Sequence, residues 1–109
     1  MKIAVSARGD TLDPQFGRAQ HFIVYDDADK TYSNIDNRQN CEQAHGAGIS
    51  AAKMIADNGV THVITGSCGP KALRVLQSAG IDVIYMSIQL VKEALSHFLN
   101  EQGSSSPSQ

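Results

Sequence analysis

Gly59-Val60-Thr61-His62-Val63-Ile64 and Gly80-Ile81-Asp82-Val83-Ile84-Tyr85 lie 21 residues apart and share one plan, a glycine followed by a short run rich in β-branched residues. Glycine at such a place ends a helix, and the apolar run after it reads as a buried strand. Ahead of the first copy, Ile49, Ala52, Ile55 and Ala56 recur at helical spacing between Gly48 and Gly59. Ahead of the second, Pro70 occupies the first turn of a helix running to Gly80. The strands are expected at residues 60–65 and 81–86. A helix-strand unit used twice predicts adjacent parallel strands joined by right-handed crossovers. The fold class is therefore α/β.

Working outward, residues 2–6 form a short apolar run that reads as a first strand, and residues 7–20 read as a loop holding Gly9, Pro14 and Gly17. Residues 21–26 and 31–37 flank Asp27-Ala28-Asp29-Lys30, a solvated corner rich in turn formers, so they read as a hairpin whose polar second strand lies at an edge. A last helix carries Ile88, Val91, Leu95, Phe98 and Leu99 on one face. The expected domain spans residues 1–102, and residues 103–109 (GSSSPSQ) read as a flexible tail. Strands one, four and five are then parallel and central, with the hairpin extending one side of a mixed sheet.

The chain has 109 residues, 41% hydrophobic and 18% charged, with a net charge of −2, which fits one globular domain and no second core. Without a basic excess, nucleic acid is not an expected partner. No apolar run approaches the roughly 20 residues of a membrane span. Two cysteines, Cys41 and Cys68, make neither a disulfide framework nor a zinc-finger spacing, and free thiols point to a reducing cytoplasm.

Open α/β sheets bind ligands where their parallel strands end and the following helices begin. That rule selects Ala7-Arg8-Gly9, Ser67-Cys68-Gly69-Pro70-Lys71 and residues 87–89, with residues 41–48 entering at the same rim. A helix N-terminus carries about half a positive charge, so the Gly69-Pro70-Lys71 turn is suited to an anion. It also reads as an ordinary strand-to-helix turn. The spacing of a Walker A loop is absent, and Gly46-Ala47-Gly48 lacks the third glycine of a dinucleotide fingerprint. Cys41 and His45 would share a helix face if their segment is helical, and Cys68 would join them at a soft metal; either thiol also serves as a small buried hydrophobe. A thiol beside a helix N-terminus is expected to have a lowered pKa. His62 reads as a sheet-face residue, His97 as a surface residue, and His21 as a hydrogen-bonded edge residue. No catalytic constellation emerges.

Leu12-Asp13-Pro14-Gln15-Phe16-Gly17-Arg18-Ala19-Gln20-His21-Phe22-Ile23-Val24-Tyr25-Asp26 resembles the D-P-x-F-G-R-A-x-x-F…D signature of the dinitrogenase iron–molybdenum cofactor biosynthesis family. Gly46-Ala47-Gly48, Ala52, Gly59-Val60, Val63-Ile64-Thr65-Gly66, Gly69, Ala72, Leu76 and Gly80-Ile81 fall as in that family too, so the resemblance covers residues 1–102. It implies an RNase H-like motif: a mixed five-stranded sheet in the order 3-2-1-4-5 with three main helices. It also implies an anionic metal–sulfur cluster as ligand, bound without turnover. In the orange-protein type this is a molybdenum–copper sulfide cluster; the alternative is an iron–molybdenum cofactor precursor. The matching positions offer Phe16, Arg18, His45 and Gly69 as contacts, and the rim loops add the cationic Arg8 and Lys71; Cys41 and Cys68 are metal ligands in one binding mode and bystanders in the other.

Physical chemistry points the same way, because a large, soft, multiply charged anion is best met by backbone N–H groups, arginines and lysines, and is repelled by carboxylates. Arg18 is expected to pair with a neighbouring aspartate, Phe16 serves equally as a core plug, and Met86 and Ile88 are candidates for an apolar wall. The expected function is a cytoplasmic, non-enzymatic carrier, monomeric or weakly dimeric. Its partners would be the cluster and a P-loop ATPase or cluster-accepting protein. A regulatory or adaptor domain binding a nucleotide or phosphorylated ligand through Ser67, Gly69 and Lys71 is the rival. A nuclease is disfavoured because Arg8 stands where a metal-binding carboxylate is needed.

Overall fold

A computed structural model describes residues 1–104. The elements run β1 (Lys2–Arg8), β2 (Thr11–Leu12), β3 (His21–Asp26), β4 (Thr31–Asp36), α1 (Arg38–Cys41), α2 (Ala47–Asp57), β5 (His62–Thr65), α3 (Pro70–Ser78), β6 (Asp82–Tyr85) and α4 (Val91–Ser104). The main path of the sheet is β4-β3-β1-β5-β6, with β2 pairing on β1 off that path. Without β2 this is the expected order 3-2-1-4-5; the sixth strand is a two-residue piece inside the stretch read as loop. β1 is antiparallel to β3 and parallel to β5, and β5 is parallel to β6. The hairpin and the two crossover units thus extend the sheet in opposite directions from β1.

β1 is central because Ile3, Ala4, Val5, Ser6 and Ala7 are all fully buried. Its alternation divides the interior into two layers. Ala4 faces α2 and α3 with Phe22, Val24, Ile55, Val63 and Leu76. Ile3, Val5 and Ala7 face α4 with Ile64, Leu95 and Phe98. Gly59 and Gly80 stop the two crossover helices at φ of 73° and 77°, a left-handed geometry that a side chain resists.

Several boundaries differ from the sequence reading, α4 for instance running to Ser104 into the expected tail, and three of the differences bear on the site. β1 continues to Arg8 because Ala7 and Arg8 pair with Leu12 and Thr11 of β2. α4 starts at Val91, leaving Ile88 outside the helix and 64% exposed. The reason is that Leu12 N–H donates to Gln89 O at 2.8 Å and Val91 N–H to Asp10 O at 2.9 Å, which holds this segment extended against β2. α1 ends at Cys41, so Cys41 and His45 do not share a helix face. Of the expected tail, residues 105–109 lie outside the described residues.

His62, His97 and His21 each have a nearby partner within the fold. His62 stacks at 5.4 Å on Phe98 and its Nδ1 lies 2.8 Å from Thr61 Oγ1. His97 is exposed, 3.1 Å from Glu101. His21 is hydrogen-bonded as expected, to Asn34 Oδ1 at 2.7 Å and Gly9 O at 2.9 Å, but β3 is an interior strand and not an edge. Among the described residues no helix is long and apolar enough to cross a membrane.

Candidate functional site

The rim where β1 and β5 end is built around residues 13–18, a segment that is neither helix nor strand. Ser6 is buried and donates its hydroxyl to Asp13 O at 2.7 Å, while Thr65 Oγ1 lies 2.8 Å from Ser6 Oγ. Farther along, Phe16 N–H donates to Ser67 O at 3.1 Å and Ser67 Oγ–H to Pro14 O at 2.9 Å. Two glycines allow this approach. A Cβ on Gly17 would stand 2.7 Å from Gly48 Cα, and one on Gly66 would stand 2.7 Å from Pro14 Cα. The segment therefore packs backbone to backbone on the start of α2 and on the β5–α3 turn.

Two cavities open here. The first, of about 520 Å³, is lined by Gln15, Arg18, Gly46, Ser67, Gly69 and Lys71 among others, and no carboxylate lines it. Gly46 and Gly69 are the N-caps of α2 and α3, neither helix has a side-chain cap, and neither has an acid in its first turn. Their free N–H groups and positive ends are thus unopposed. The two helix ends supply about one positive charge between them, and Arg18 and Lys71 add one each. The second cavity, of about 570 Å³, is lined by Arg8, Thr11, Asp13, Gln15, Arg18 and Ile88 among others, so the two share Gln15 and Arg18.

Each expected site residue now has a place. Arg8, Phe16, Arg18, Gly69 and Lys71 line one cavity or the other. Phe16 is also a core plug, 1% exposed with its ring 5.1 Å from that of Phe22. Arg18 is not paired with an aspartate: its Nη1 donates to Cys41 O at 2.7 Å and Gln43 O at 2.8 Å, because the end of α1 and the loop after it present carbonyls there. Arg8 Nε instead lies 3.7 Å from Asp13 Oδ2. His45 is exposed beside Gly46 and outside the cavity lining. Ile88 reaches the second cavity, whereas Met86 packs against the α4-side core.

The thiols stand apart from the lining. Cys41 is half-buried and donates Sγ–H to Arg38 O at 3.4 Å. Cys68 packs on the core beneath α2 and α3, and burial pushes its thiol above the ordinary value, the reverse of the lowering expected at a helix N-terminus. Among the described residues no group of three or more His, Cys, Asp or Glu side chains is placed to hold a metal ion. Sequence reasoning missed Gln15, a neutral amide without a motif of its own, and the role of Gly17 and Gly66 as contact points. Their partners lie far away along the chain, so no local signal marks them.

Residues 1–101 match the model of the family described as dinitrogenase iron-molybdenum cofactor. An uncharacterized protein of Methanocaldococcus jannaschii is 33% identical over 101 residues, covering 91% of this chain and 86% of the relative. The apo form of the orange protein from Desulfovibrio gigas has a similar structure, with a TM-score of 0.87 and 42% identity over 93% of this chain and 88% of that one. A putative NifB protein from Thermotoga follows with a TM-score of 0.78 and 25% identity over 91% and 87%.

Proposed function

The chain belongs to the dinitrogenase iron-molybdenum cofactor family, and from that premise we propose that it is a cytoplasmic, non-enzymatic carrier of an anionic metal–sulfur cluster. The observation that carries this reading is the carboxylate-free cavity beneath two uncapped helix N-termini, flanked by Arg18 and Lys71. Its size, about 520 Å³, is that of a small-ligand site. Sulfide ligands of a cluster accept hydrogen bonds from the free N–H groups at the starts of α2 and α3. Lys71 and Arg18 neutralise its charge, and the glycines admit its bulk. Carrying requires no proton transfer and no bond cleavage by the chain. We assign the cargo as a molybdenum–copper sulfide cluster of the orange-protein type, on the 42% identity to the Desulfovibrio gigas protein. An iron–molybdenum cofactor precursor is the alternative cargo.

The berth is electrostatic in this reading, with Cys41 and Cys68 as bystanders. Supporting this, the Cys68 thiol is pushed away from its thiolate form by burial, and neither thiol lines either of the two rim cavities. The test is to reconstitute the chain with tetrathiomolybdate and copper, desalt it, and record the visible spectrum and metal content. Retained colour is expected for the wild type and for the double Cys41→Ser, Cys68→Ser variant, and lost colour for Lys71→Glu. A colourless wild type would overturn the reading; loss of colour only in the double cysteine variant would replace the electrostatic berth by thiolate ligation.

A further inference from the structure

Among the described residues, one buried side-chain nitrogen or oxygen lacks a hydrogen-bond partner, and it is Asp13 Oδ2. Asp13 is only 5% exposed and lines the second cavity with Arg8, Gln15 and Arg18. The rest of the residue is held on every side. Its N–H donates to Ser6 O at 2.8 Å, its carbonyl accepts from Ser6 Oγ at 2.7 Å, and its Oδ1 accepts from Gln15 N–H at 2.9 Å. The carboxylate therefore cannot turn Oδ2 elsewhere without breaking the Oδ1 bond. Arg8 Nε, at 3.7 Å, is too far for a hydrogen bond, and the Arg8 side chain is 73% exposed. A buried oxygen left without a donor calls for an explanation, and a bound species is among the usual ones.

A carboxylate only accepts hydrogen bonds. Arg8 and Arg18 attract an anion into the cavity, and at Oδ2 that anion meets lone pairs. A fully deprotonated anion is repelled there, whereas one that retains a proton donates it in a hydrogen bond. We propose that the second cavity is an anion subsite distinct from the cluster berth, selective for a small anion that carries its own O–H or S–H donor. Arg8 and Arg18 supply attraction, and Asp13 supplies selectivity. The site shares Arg18 and Gln15 with the berth, so its occupant sits beside the cargo.

Inorganic phosphate and sulfate separate donor-bearing from donor-free anions of the same tetrahedral shape, since at pH 7 phosphate keeps at least one proton and sulfate keeps none. Titration of the full chain with each, followed through the amide NMR shifts of Arg8, Thr11 and Asp13, which line the second cavity and not the first, reads the second cavity. The wild type is expected to bind phosphate at least about tenfold more tightly than sulfate. Asp13→Asn, whose amide donates as well as accepts, is expected to narrow that ratio to within about threefold, and Arg8→Gln to weaken both anions. Equal wild-type affinities, no shift with either anion, or an unchanged ratio in folded Asp13→Asn would each overturn the subsite. The wild-type ratio decides even if a variant fails to fold. Coloured holoprotein without phosphate selectivity would remove the subsite and leave the carrier reading intact; selectivity without coloured protein would do the opposite.

Discussion

Gly17→Ala tests how the rim is assembled. The added methyl carbon would stand 2.7 Å from Gly48 Cα, 2.8 Å from Gly48 N and 3.3 Å from Ala47 C. Carbon atoms in good contact sit about 3.5–4.0 Å apart, so the shortest overlap is roughly 1 Å. All three atoms are backbone at the start of α2, and no side chain is there to swing aside. Relief requires residues 13–18 and the first turn of α2 to separate, at the cost of about 1–3 kcal/mol typical of an overpacked site. For a domain of 109 residues that lowers the melting temperature by about 4–15 °C. Gly69→Ala is the matched control, because nothing lies within 4 Å of its Cβ and its φ of −62° suits any residue. Differential scanning calorimetry of both variants checks the pair, with a change within about 1 kcal/mol expected for the control. A Gly17→Ala protein melting within 2 °C of wild type, or a Gly69→Ala protein falling as far, refutes the backbone contact as the organiser of the rim, the threshold being about half the smallest expected drop.

Three further outcomes follow from the same geometry. Arg18→Ala removes two charge-assisted bonds to Cys41 O and Gln43 O. It should cost about 1–3 kcal/mol and speed amide exchange across residues 42–46, read by hydrogen-exchange mass spectrometry; unchanged exchange there contradicts the anchoring. Cys68, its thiol raised by burial, should be alkylated by iodoacetamide with a pH midpoint above the ordinary value of 9.0, and a midpoint below it rules that out. The Asp36 carboxyl is held at about 2, first by the side-chain hydrogen bond from Arg38 and next by the Arg38 backbone N–H. Because this folded value lies below the unfolded one, the stabilisation is complete above pH 3.8 and disappears as pH falls toward 2. A carboxyl NMR titration should show the low midpoint, and Arg38→Gln should move it back toward 3.8; an unmoved midpoint removes Arg38 as the cause.

The parallel half of the sheet was legible because its signals are local: glycine stops, one N1 proline and two short apolar runs all lie within the segments they define. The hairpin was legible for the same reason, from its acidic turn and its polar second strand. β2 and the late start of α4 were not: β2 is a two-residue piece paired on the end of β1, and the start of α4 is set by backbone bonds between residues near 11 and residues near 90. At the site, Arg8, Lys71 and the Gly69 turn followed from the rule that ligands gather where parallel strands end, whereas Arg18 came from the resemblance of residues 12–26 to the family signature. What Arg18 bonds to, and where Cys68 packs, depend on how the 42–46 loop and the helices settle in space, which no spacing along the chain encodes.

Residues 13–18 answer to the backbones of two other segments as much as to any cargo, through Gly17 on Gly48 and Pro14 on Gly66. A transplant of this loop between relatives would accordingly have to carry its distant seats with it. Moved alone, it would arrive with the right letters and no floor to stand on. The unit of inheritance at this rim is a three-part joint, and directed-evolution libraries that shuffle the loop without its two seats should return mostly misassembled chains.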